Sequence, residues 1–263
     1  MSAARALDDA DFDLGRVTSA DGVAELARAL YGEAFTPTPG VLHVTAIDGN
    51  TGRTLRIDER APKSQADTFA LNLTRARADA IIITGGILRE EPALSYAPGA
   101  PGPESEALRA YRHHYGPSGP PLLVIMTRGA GLPLDHPVFH DGHTRPILYG
   151  PASGVLPLRQ DTDAEVIGHT GDAHLGALLT LLRERGATTI SVEAGPSTTR
   201  ALYAGPVPLV DELCLSTYAG PPLEEAQLVG DPMRVPPELT LAQPEVLTRT
   251  ASGPWRFGRY QRR

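Results

Sequence analysis

The chain is short of the residues that build disulfides, zinc sites and large aromatic cores. Its 263 residues include one cysteine, Cys214, one tryptophan and five phenylalanines. A single cysteine excludes an intrachain disulfide and any zinc site built from several cysteines, and it suits a reducing compartment. The core must therefore be mainly aliphatic, and the apolar fraction of 41% supplies the material for it.

Membrane proteins and nucleic-acid binders are disfavoured as well. No apolar run approaches the roughly 20 residues that a membrane helix needs, and the amino terminus carries acids where a secretion signal has an apolar segment. The formal net charge is −7, whereas a nucleic-acid partner requires a basic face. We expect a cytoplasmic protein that binds neither a membrane nor nucleic acid.

Strand and helix patterns alternate along most of the chain. Apolar runs predict strands at 41–47, 80–83, 122–126, 188–193 and 210–217. Helical patterns lie at 64–77, 172–185 and 197–204, the first opening with a capping box at Ser64 and the second with Asp172 as its cap. A closing hairpin is predicted at 246–250 and 255–260. This order favours an α/β fold with a mostly parallel central sheet, an antiparallel C-terminal edge and helices on both faces.

The amino-terminal part differs from the rest in composition. Residues 1–40 form an acidic extension with one short helix, and the Pro-rich stretch 35–40 is typical of a linker. We therefore expect an extension at 1–40 and one domain at 41–263. Gly and Pro number 27 and 25, which predicts many turns between the elements.

The most informative stretch is the turn Glu193-Ala194-Gly195-Pro196 between a strand and a helix. Small residues let a ligand approach the backbone, and the free N–H groups of a helix start bind phosphate. Three other segments end strands of the same sheet: 45–49, 79–94 with the preceding Arg75, and 127–128. In open α/β sheets ligands bind at the carboxyl ends of the strands, so we expect one site where these segments converge.

Five segments together resemble the pyrimidine reductase of riboflavin biosynthesis, a family with the dihydrofolate-reductase-like fold. In order, they are Asp48-Gly49, Arg75-Ala76-Arg77-Ala78-Asp79-Ala80, Glu90-Glu91-Pro92-Ala93-Leu94, Glu193-Ala194-Gly195-Pro196 and Val210-Asp211-Glu212-Leu213. The resemblance covers roughly residues 41–261. It implies that 41–263 is a reductase domain, a predicted homodimer that uses NADPH to reduce a phosphorylated aminopyrimidine-like small molecule.

The family's site residues can be carried over position by position. The resemblance implies that Arg75 pairs with the substrate phosphate and that Glu193 hydrogen-bonds the substrate. Lys63, Ser64 and Leu94 are the further substrate-side positions. The cofactor side comprises Thr45, Asp48, Thr84, Gly85, Gly86, Glu90, Thr127, Gly195, Pro196, Ser197 and Thr198. No residue is assigned as an acid or base, because the nicotinamide carries the chemistry and the protein positions the reactants.

The substrate half of the family pattern has departed further than the cofactor half. The usual Asp-Asp-Pro is Glu90-Glu91-Pro92, and the Gly-rich turn has Gly86 where the family has a threonine. No basic residue follows shortly after Leu94, and the family's Ser-x-Trp-Ile stretch is missing from 54–64. The zinc deaminase often fused to this reductase requires more cysteines than the chain has.

Alternative interpretations remain open. Gly195-Pro196 also fits an ordinary strand-to-helix turn, Asp48-Gly49 a turn that ends the first strand, and Arg75 a helix-end residue favoured by the helix dipole. His136, His140 and His143 match no metal signature, so no metal site is predicted. At the level of function, the same fold could reduce a different substrate with NADPH, or bind a ligand without catalysis.

Overall fold

The computed structural model describes residues 5–32, 39–56, 58–100, 102–171 and 175–262. Most of the predicted linker at 35–40 and the predicted cap Asp172 lie outside the described residues. Among the described residues, thirteen strands form one sheet: β1 (Arg5–Ala6), β2 (Gly40–Asp48), β3 (Thr54–Leu55), β4 (Ala80–Thr84), β5 (Leu122–Met126), β6 (Arg145–Pro151), β7 (Glu165–His169), β8 (Thr189–Val192), β9 (Glu212–Tyr218), β10 (Leu228–Val229), β11 (Leu239–Leu241), β12 (Val246–Thr250) and β13 (Gly253–Arg262). The α-helices are α1 (Ala20–Tyr31), α2 (Gln65–Arg77), α3 (Gly85–Glu90), α4 (Glu106–Tyr115), α5 (Ala152–Val155), α6 (Leu175–Glu184) and α7 (Pro196–Tyr203).

The sheet is mostly parallel with an antiparallel edge, as predicted. Its main order is β1-β12-β13-β9-β2-β8-β4-β5-β6-β7. From β9 to β7 every neighbouring pair is parallel, whereas β13 runs antiparallel to both β9 and β12. The carboxyl ends of β2, β8, β4 and β5, which carry the predicted site, therefore lie along one edge of the sheet. The ends of the flanking strands β9 and β6 lie along the same edge.

Helices cover both faces because the central strands are apolar on both sides. Ile82 and Val192 point into a core layer with α6 and α7. On the opposite face, α1, α2 and α4 pack around Phe69, Leu73 and Trp255. The short continuous run of β4 is buried throughout except at Thr84, which is the pattern expected of a central parallel strand.

Helix α2 begins where the capping pattern predicts. The Ser64 hydroxyl accepts a hydrogen bond from the Asp67 backbone N–H at 3.2 Å, and Ser64 has extended backbone angles. A capping hydroxyl satisfies one of the free N–H groups at a helix start. The cap therefore fixes the point at which the chain leaves the loop after β3 and enters the helix layer.

One predicted feature needs correction, and one strand of the sheet was not predicted. The Gly-rich turn predicted at 84–94 is helix α3 followed by a loop, because burial of Leu88 against the sheet favours a helical turn there. Strand β7 was not predicted; its sequence is partly polar, and it lies at the edge of the sheet beside β6. Tertiary packing and edge pairing decide both cases, and neither leaves a clear periodic pattern in the sequence.

The amino-terminal extension packs onto the domain. Strand β1 pairs with β12, and the apolar face of α1 contributes Val23, Leu30 and Tyr31 to the core. The carboxylate of Asp9 accepts hydrogen bonds from the Ser64 hydroxyl at 2.6 Å and the Gln65 backbone N–H at 2.8 Å. A side chain from the extension therefore lies on the amino end of α2.

A buried carboxylate joins α2, β9 and β13. Glu212 accepts from the guanidinium of Arg77 at 2.8 Å and from Nη2 of Arg259 at 2.8 Å, and these side chains are at most 4% exposed. Burial acts to raise the pKa of Glu212, but Arg77 and Arg259 outweigh burial and hold the pKa below its ordinary value. Glu212 is therefore a charged structural residue of the core.

We predict that Glu212→Ala lowers the free energy of unfolding by about 3–5 kcal/mol, because it leaves two buried guanidinium groups without their carboxylate. Urea unfolding at neutral pH measures this loss. Glu225→Ala serves as the control, since Glu225 pairs with Arg53 at a side-chain exposure of 82% and exposed pairs contribute at most about 1 kcal/mol. Equal losses in the two variants would contradict the structural role of Glu212.

The same carboxylate predicts a pH dependence. A depressed pKa means that the stability from Glu212 is fully present above its ordinary pKa of 4.5 and is lost as the pH falls through the lower value in the folded protein. We therefore expect the stability difference between wild type and Glu212→Gln to shrink below pH 4.5. A constant difference from pH 7 to pH 3 would show that Glu212 is not held ionised.

Candidate active site

The strand pairing has a gap at the carboxyl edge of the sheet, here called the crevice, because β8 is shorter than its neighbours. Strand β2 pairs with β8 only from Gly40 to His43, but it continues to Asp48 alongside β9. On the other side, β4 pairs with β8 as far as Ile82. The space beyond the end of β8 is therefore flanked by β2 and β4, and the turn that begins at Glu193 forms its floor.

Arg75 and Glu193 form a bidentate ion pair in this crevice. The Arg75 Nε lies 2.9 Å and Nη2 lies 2.8 Å from Oε2 of Glu193. The two side chains are only 12% and 6% exposed. Side chains alternate along a strand, so Glu193 points to the face of the sheet that α2 covers. The structure thus brings together two residues that are 118 positions apart in the chain.

Tyr96 completes this pair and was missed by the sequence analysis. Its ring lies under the Arg75 guanidinium, with 4.3 Å between Cζ and the ring centroid. Burial and the nearby Glu193 carboxylate raise the pKa of Tyr96 well above its ordinary value. An aromatic residue in a Gly- and Pro-containing loop gives no periodic signal, so the sequence offered no way to find it.

A second carboxylate, that of Glu91, lies close to the pair. Burial raises the pKa of Glu91 above its ordinary value, while the nearby Arg75 acts in the opposite direction. The Glu91 backbone carbonyl lies 2.9 Å from Nε2 of His136. Glu90, the predicted cofactor residue beside it, is exposed at the end of α3. Of the two acids in the family motif, the structure brings Glu91 to the crevice.

Arg112 holds the carboxyl end of α2, from which Arg75 projects. Its Nη1 donates to the backbone carbonyls of Arg75, Ala76 and Ala78 at 3.3, 3.2 and 2.8 Å. The last carbonyls of a helix have no partner within the helix, and a cation there also complements the helix dipole. Helix α4 therefore fixes the end of α2 that carries the ion pair.

The predicted phosphate turn has the expected local geometry. Gly195 precedes the first residue of α7, and no side chain caps this helix start. A Cβ built on Gly195 meets no atom within 4 Å, although its φ of −64° is allowed to any residue. Gly195 therefore leaves open space beside the backbone, and α7 has no acidic residue in its first turn. Pro196, Ser197 and Thr198 lie in that first turn.

The other predicted cofactor residues cluster at the ends of β4 and β5. Thr84 ends β4, and Gly85 begins α3 at once. A Cβ on Gly85 would lie 3.0 Å from the Thr127 hydroxyl, whereas one on Gly86 would meet nothing closer than 3.5 Å. The structure thus packs Gly85 against Thr127, whereas a Cβ on Gly86 would make only ordinary contacts with Thr84 and Arg89.

Thr45 and Asp48 lie in β2, and the Asp48 side chain stabilises the turn that follows this strand. The Asp48 side chain is 1% exposed and accepts from the Thr51 backbone N–H at 2.9 Å and the Thr51 hydroxyl at 2.8 Å. These bonds hold the hairpin between β2 and β3, in agreement with the turn interpretation. Thr45 is half-buried and pairs with Leu215 of β9.

The remaining substrate-side residues lie apart from Arg75. Lys63 and Ser64 stand at the amino end of α2, about 16 Å along the helix axis from Arg75 at 1.5 Å per residue. The Lys63 ammonium donates to the Asp58 carbonyl at 2.8 Å. Leu94 is half-buried against the cluster under β4 and β5. Two separate places therefore carry the predicted substrate residues.

Neither a metal cluster nor a membrane helix is found among the described residues. No group of three or more His, Cys, Asp or Glu side chains there could hold a metal ion. His136 and His140 each lie within hydrogen-bond distance of a different backbone carbonyl, of Glu91 and Leu134 respectively. In the same ranges, every helix is too short or too polar to cross a membrane.

Comparison with known proteins identifies the family. The model of the RibD C-terminal domain matches residues 43–221, which is more than half of the chain. The chain belongs to the RibD C-terminal domain family. No curated protein sequence matches this RibD C-terminal domain protein.

Solved structures support the same fold for this RibD C-terminal domain protein. A pyrimidine reductase-like protein from Corynebacterium diphtheriae is 22% identical with a TM-score of 0.65, covering 90% of this chain and 98% of that chain. Acinetobacter baumannii RibD is 17% identical with a TM-score of 0.59; the match covers 87% of this chain but only 59% of that one. The riboflavin biosynthesis reductase of Saccharomyces cerevisiae is 13% identical with a TM-score of 0.50, covering 90% and 97%. The predicted dihydrofolate-reductase-like α/β fold is confirmed.

We predict that Arg75 and Glu193 are energetically coupled. A double-mutant cycle with Arg75→Met and Glu193→Gln should give a coupling energy of about 1–3 kcal/mol, because both side chains are largely withdrawn from water. Urea unfolding of the four proteins measures it. The exposed pair Arg185 and Glu165, at 35% and 50%, is the control and should couple by less than about 1 kcal/mol. A coupling as weak as that of the control would mean that the pair does not hold the end of β8 to α2.

Proposed function

We propose that this protein is an NADPH-dependent reductase that acts on a small aminopyrimidine-like molecule, of the kind that the riboflavin pathway supplies. The observation that carries the proposal is the crevice beyond β8, in which an uncapped helix start and a largely buried Arg75–Glu193 pair lie on opposite sides of one short turn. Membership of the RibD C-terminal domain family supports the reaction class.

The cofactor side fits a dinucleotide phosphate. The start of α7 has neither a side-chain cap nor an acid in its first turn, and Gly195 faces open space. The Ser197 backbone N–H, with the helix dipole behind it, can attract a phosphate oxygen, whereas Pro196 has no N–H and the Thr198 N–H donates to the Gly195 carbonyl at 3.0 Å. Ser197 and Thr198 add hydroxyl donors in the first turn of α7. The residues present therefore suit NADPH.

The substrate side lies on the α2 face of the same turn. Glu193 points toward α2, while the chain that follows it crosses to α7 on the other face of the sheet. A heterocycle in the crevice would meet the rim of the Arg75–Glu193–Tyr96 group and the end of β2. These groups orient the substrate against the cofactor and limit water at the crevice floor, where Glu193 is 6% exposed.

The protein's part in the reaction is positioning. The nicotinamide, when bound, supplies the hydride that reduces an imine or ring-opened sugar carbon. Arg75 keeps its charge throughout, because Glu193 and Tyr96 outweigh the opposing effect of burial and raise its pKa above the ordinary value. The guanidinium therefore serves as a fixed hydrogen-bond donor and positive charge. Arg75 does not supply the proton that accompanies hydride transfer.

The decisive experiment is cofactor binding followed by turnover. NADPH at 100 times its dissociation constant should add about 2.7 kcal/mol to the free energy of unfolding. Loss of absorbance of NADPH should then require an aminopyrimidine ribosylamine as second substrate. Absence of a melting shift at saturating NADPH would overturn the proposal, whereas cofactor binding without turnover of pathway compounds would favour a different substrate.

We predict that Gly195→Asp abolishes the NADPH-dependent stabilisation while leaving the unliganded protein folded. A Cβ fits at Gly195 without contact, and an aspartate there caps α7, which should raise the unliganded stability by roughly a few tenths of a kcal/mol, because glycine is itself a tolerated cap. Its carboxylate repels the cofactor phosphate at the same place. Thermal melting with and without NADPH measures both effects.

Gly195→Asn is the matched control, because it offers a similar cap and volume without the charge. It should retain more of the NADPH response than Gly195→Asp. If both variants respond to NADPH as the wild type does, the turn at 194–198 does not hold cofactor phosphate.

A further inference from the structure

The turn that follows β5 carries an exposed arginine on the cofactor side of the site. Arg128 comes directly after Thr127, and its side chain is open to solvent. We propose that Arg128 binds the 2′-phosphate of the cofactor and thereby makes the protein select NADPH over NADH. The proposal rests on the reductase function proposed above and names the residue that determines its cofactor specificity.

The backbone of this turn is held by β6 and α5. The Thr127 backbone N–H donates to the Tyr149 carbonyl at 2.9 Å, which continues the ladder past the end of β5. The Thr127 hydroxyl accepts from the Gly129 backbone N–H at 3.0 Å, so the chain turns at Arg128. Gly129 has a φ of 89°, and a Cβ on Gly154 would collide with the Arg128 carbonyl. Close packing therefore fixes the point from which the Arg128 side chain extends.

The Arg128 guanidinium is available to a ligand. Among the residues that the structure describes, its side chain makes no hydrogen bond and no ion pair. Residues 116–134, which contain β5 and its turn, and residues 142–160, which contain β6 and α5, include no Asp or Glu. In a chain with a formal net charge of −7, these two segments thus present a cation and no acid of their own to neutralise it. Such a guanidinium attracts a phosphate.

The position of Arg128 along the edge suits a dinucleotide that also reaches the 194–198 turn. That turn follows β8, and β4 lies between β8 and β5. Neighbouring strands are about 4.8 Å apart, so β5 lies about 10 Å from β8. A ribose that links two phosphates, together with an extended arginine side chain, covers such a distance. In Rossmann dinucleotide sites an acid binds the ribose 2′-hydroxyl of NAD, whereas an arginine accommodates the 2′-phosphate of NADP. The residue after Thr127 is of the second kind.

A second exposed arginine, Arg89, lies in the last turn of α3. Its Nη2 would lie 3.9 Å from a Cβ built on Gly86, so the side chain folds back along the helix. The exposed Glu90 follows it directly, and a carboxylate beside a guanidinium weakens its attraction for a phosphate. Arg128 has no acidic neighbour in its turn, and this difference assigns the 2′-phosphate to Arg128 rather than to Arg89.

Calorimetric titration with NADPH and NADH, without substrate, tests the assignment. The wild type should bind NADPH with a Kd at least about tenfold lower than that of NADH, because charge-assisted hydrogen bonds to a phosphate are strong. Arg128→Ala should raise the Kd of NADPH at least about tenfold and change that of NADH by less than about twofold. Arg128→Glu should prefer NADH, since its carboxylate repels the 2′-phosphate and accepts from the 2′-hydroxyl. The exposed, unpaired side chain makes folding of both variants the expectation.

Arg145→Ala is the matched control. Arg145 is also an exposed arginine, but it lies at the amino end of β6, opposite Leu122 of β5. Its removal changes the net charge equally and should leave both Kd values unchanged, and Arg89→Ala should likewise keep the preference for NADPH. A preference that persists in Arg128→Ala, or one that Arg145→Ala loses to the same extent, would overturn the inference.

The phosphate of a phosphorylated substrate is the other source of the same chemical group. If Arg128→Ala raised only the KM of a phosphorylated aminopyrimidine ribosylamine and left nucleotide binding unchanged, Arg128 would belong to the substrate site and the inference would be wrong. Equal binding of NADPH and NADH by the wild type would remove the selectivity and leave the reductase function standing. Binding of neither nucleotide would overturn the reductase function and the inference together.

Discussion

The buried carboxylate of Glu212 is the interaction on which the rest of the structure depends. It lies where α2, β9 and β13 meet, and two arginines share its oxygens. A lone charge in such a place would be strongly destabilising, so the three elements must assemble together for any of the charges to be accommodated. Arg77 is the last residue of α2, and Arg75 lies two positions before it. The anchoring of α2 through Glu212 therefore also sets where Arg75 meets Glu193.

Charge compensation occurs at three places along α2. Asp9 neutralises its amino end, Arg112 binds its carboxyl-terminal carbonyls, and Glu193 pairs with the side chain of Arg75. Apart from Lys63 every basic side chain of the chain, histidines aside, is an arginine. The guanidinium suits this role because its planar donors can satisfy two carboxylate oxygens or several carbonyls at once, which a lysine ammonium does with less geometric precision.

The sequence predicted those features that depend on local pattern. Ser64 opens α2 because a capping hydroxyl and a buried helix face occur together, and β4 is a strand because four successive apolar residues must be buried on both sides. Helix α3 was not predicted, since Gly85-Gly86 is typical of a turn and the burial of Leu88 appears only in three dimensions. The resemblance located Arg75 and Glu193, but it gave no sign that they bind each other. Tyr96 and Asp9 act across 21 and 55 residues respectively, and such long-range contacts leave no periodic trace in one sequence.

The crevice beyond β8 arises from a difference in strand length, and this has a consequence for how the family diverges. Strand β8 contains four residues and β2 contains nine, so the gap between β2 and β4 is defined by backbone hydrogen bonds rather than by any particular side chain. Substitutions on the rim can accumulate while the gap persists, which agrees with a common fold at identities of 13–22%. A change in the length of β8 acts differently: one inserted residue would extend the ladder into the gap and turn the following acid to the opposite face of the sheet. Selection on this fold should therefore tolerate exchange of side chains more readily than insertion or deletion within this one strand.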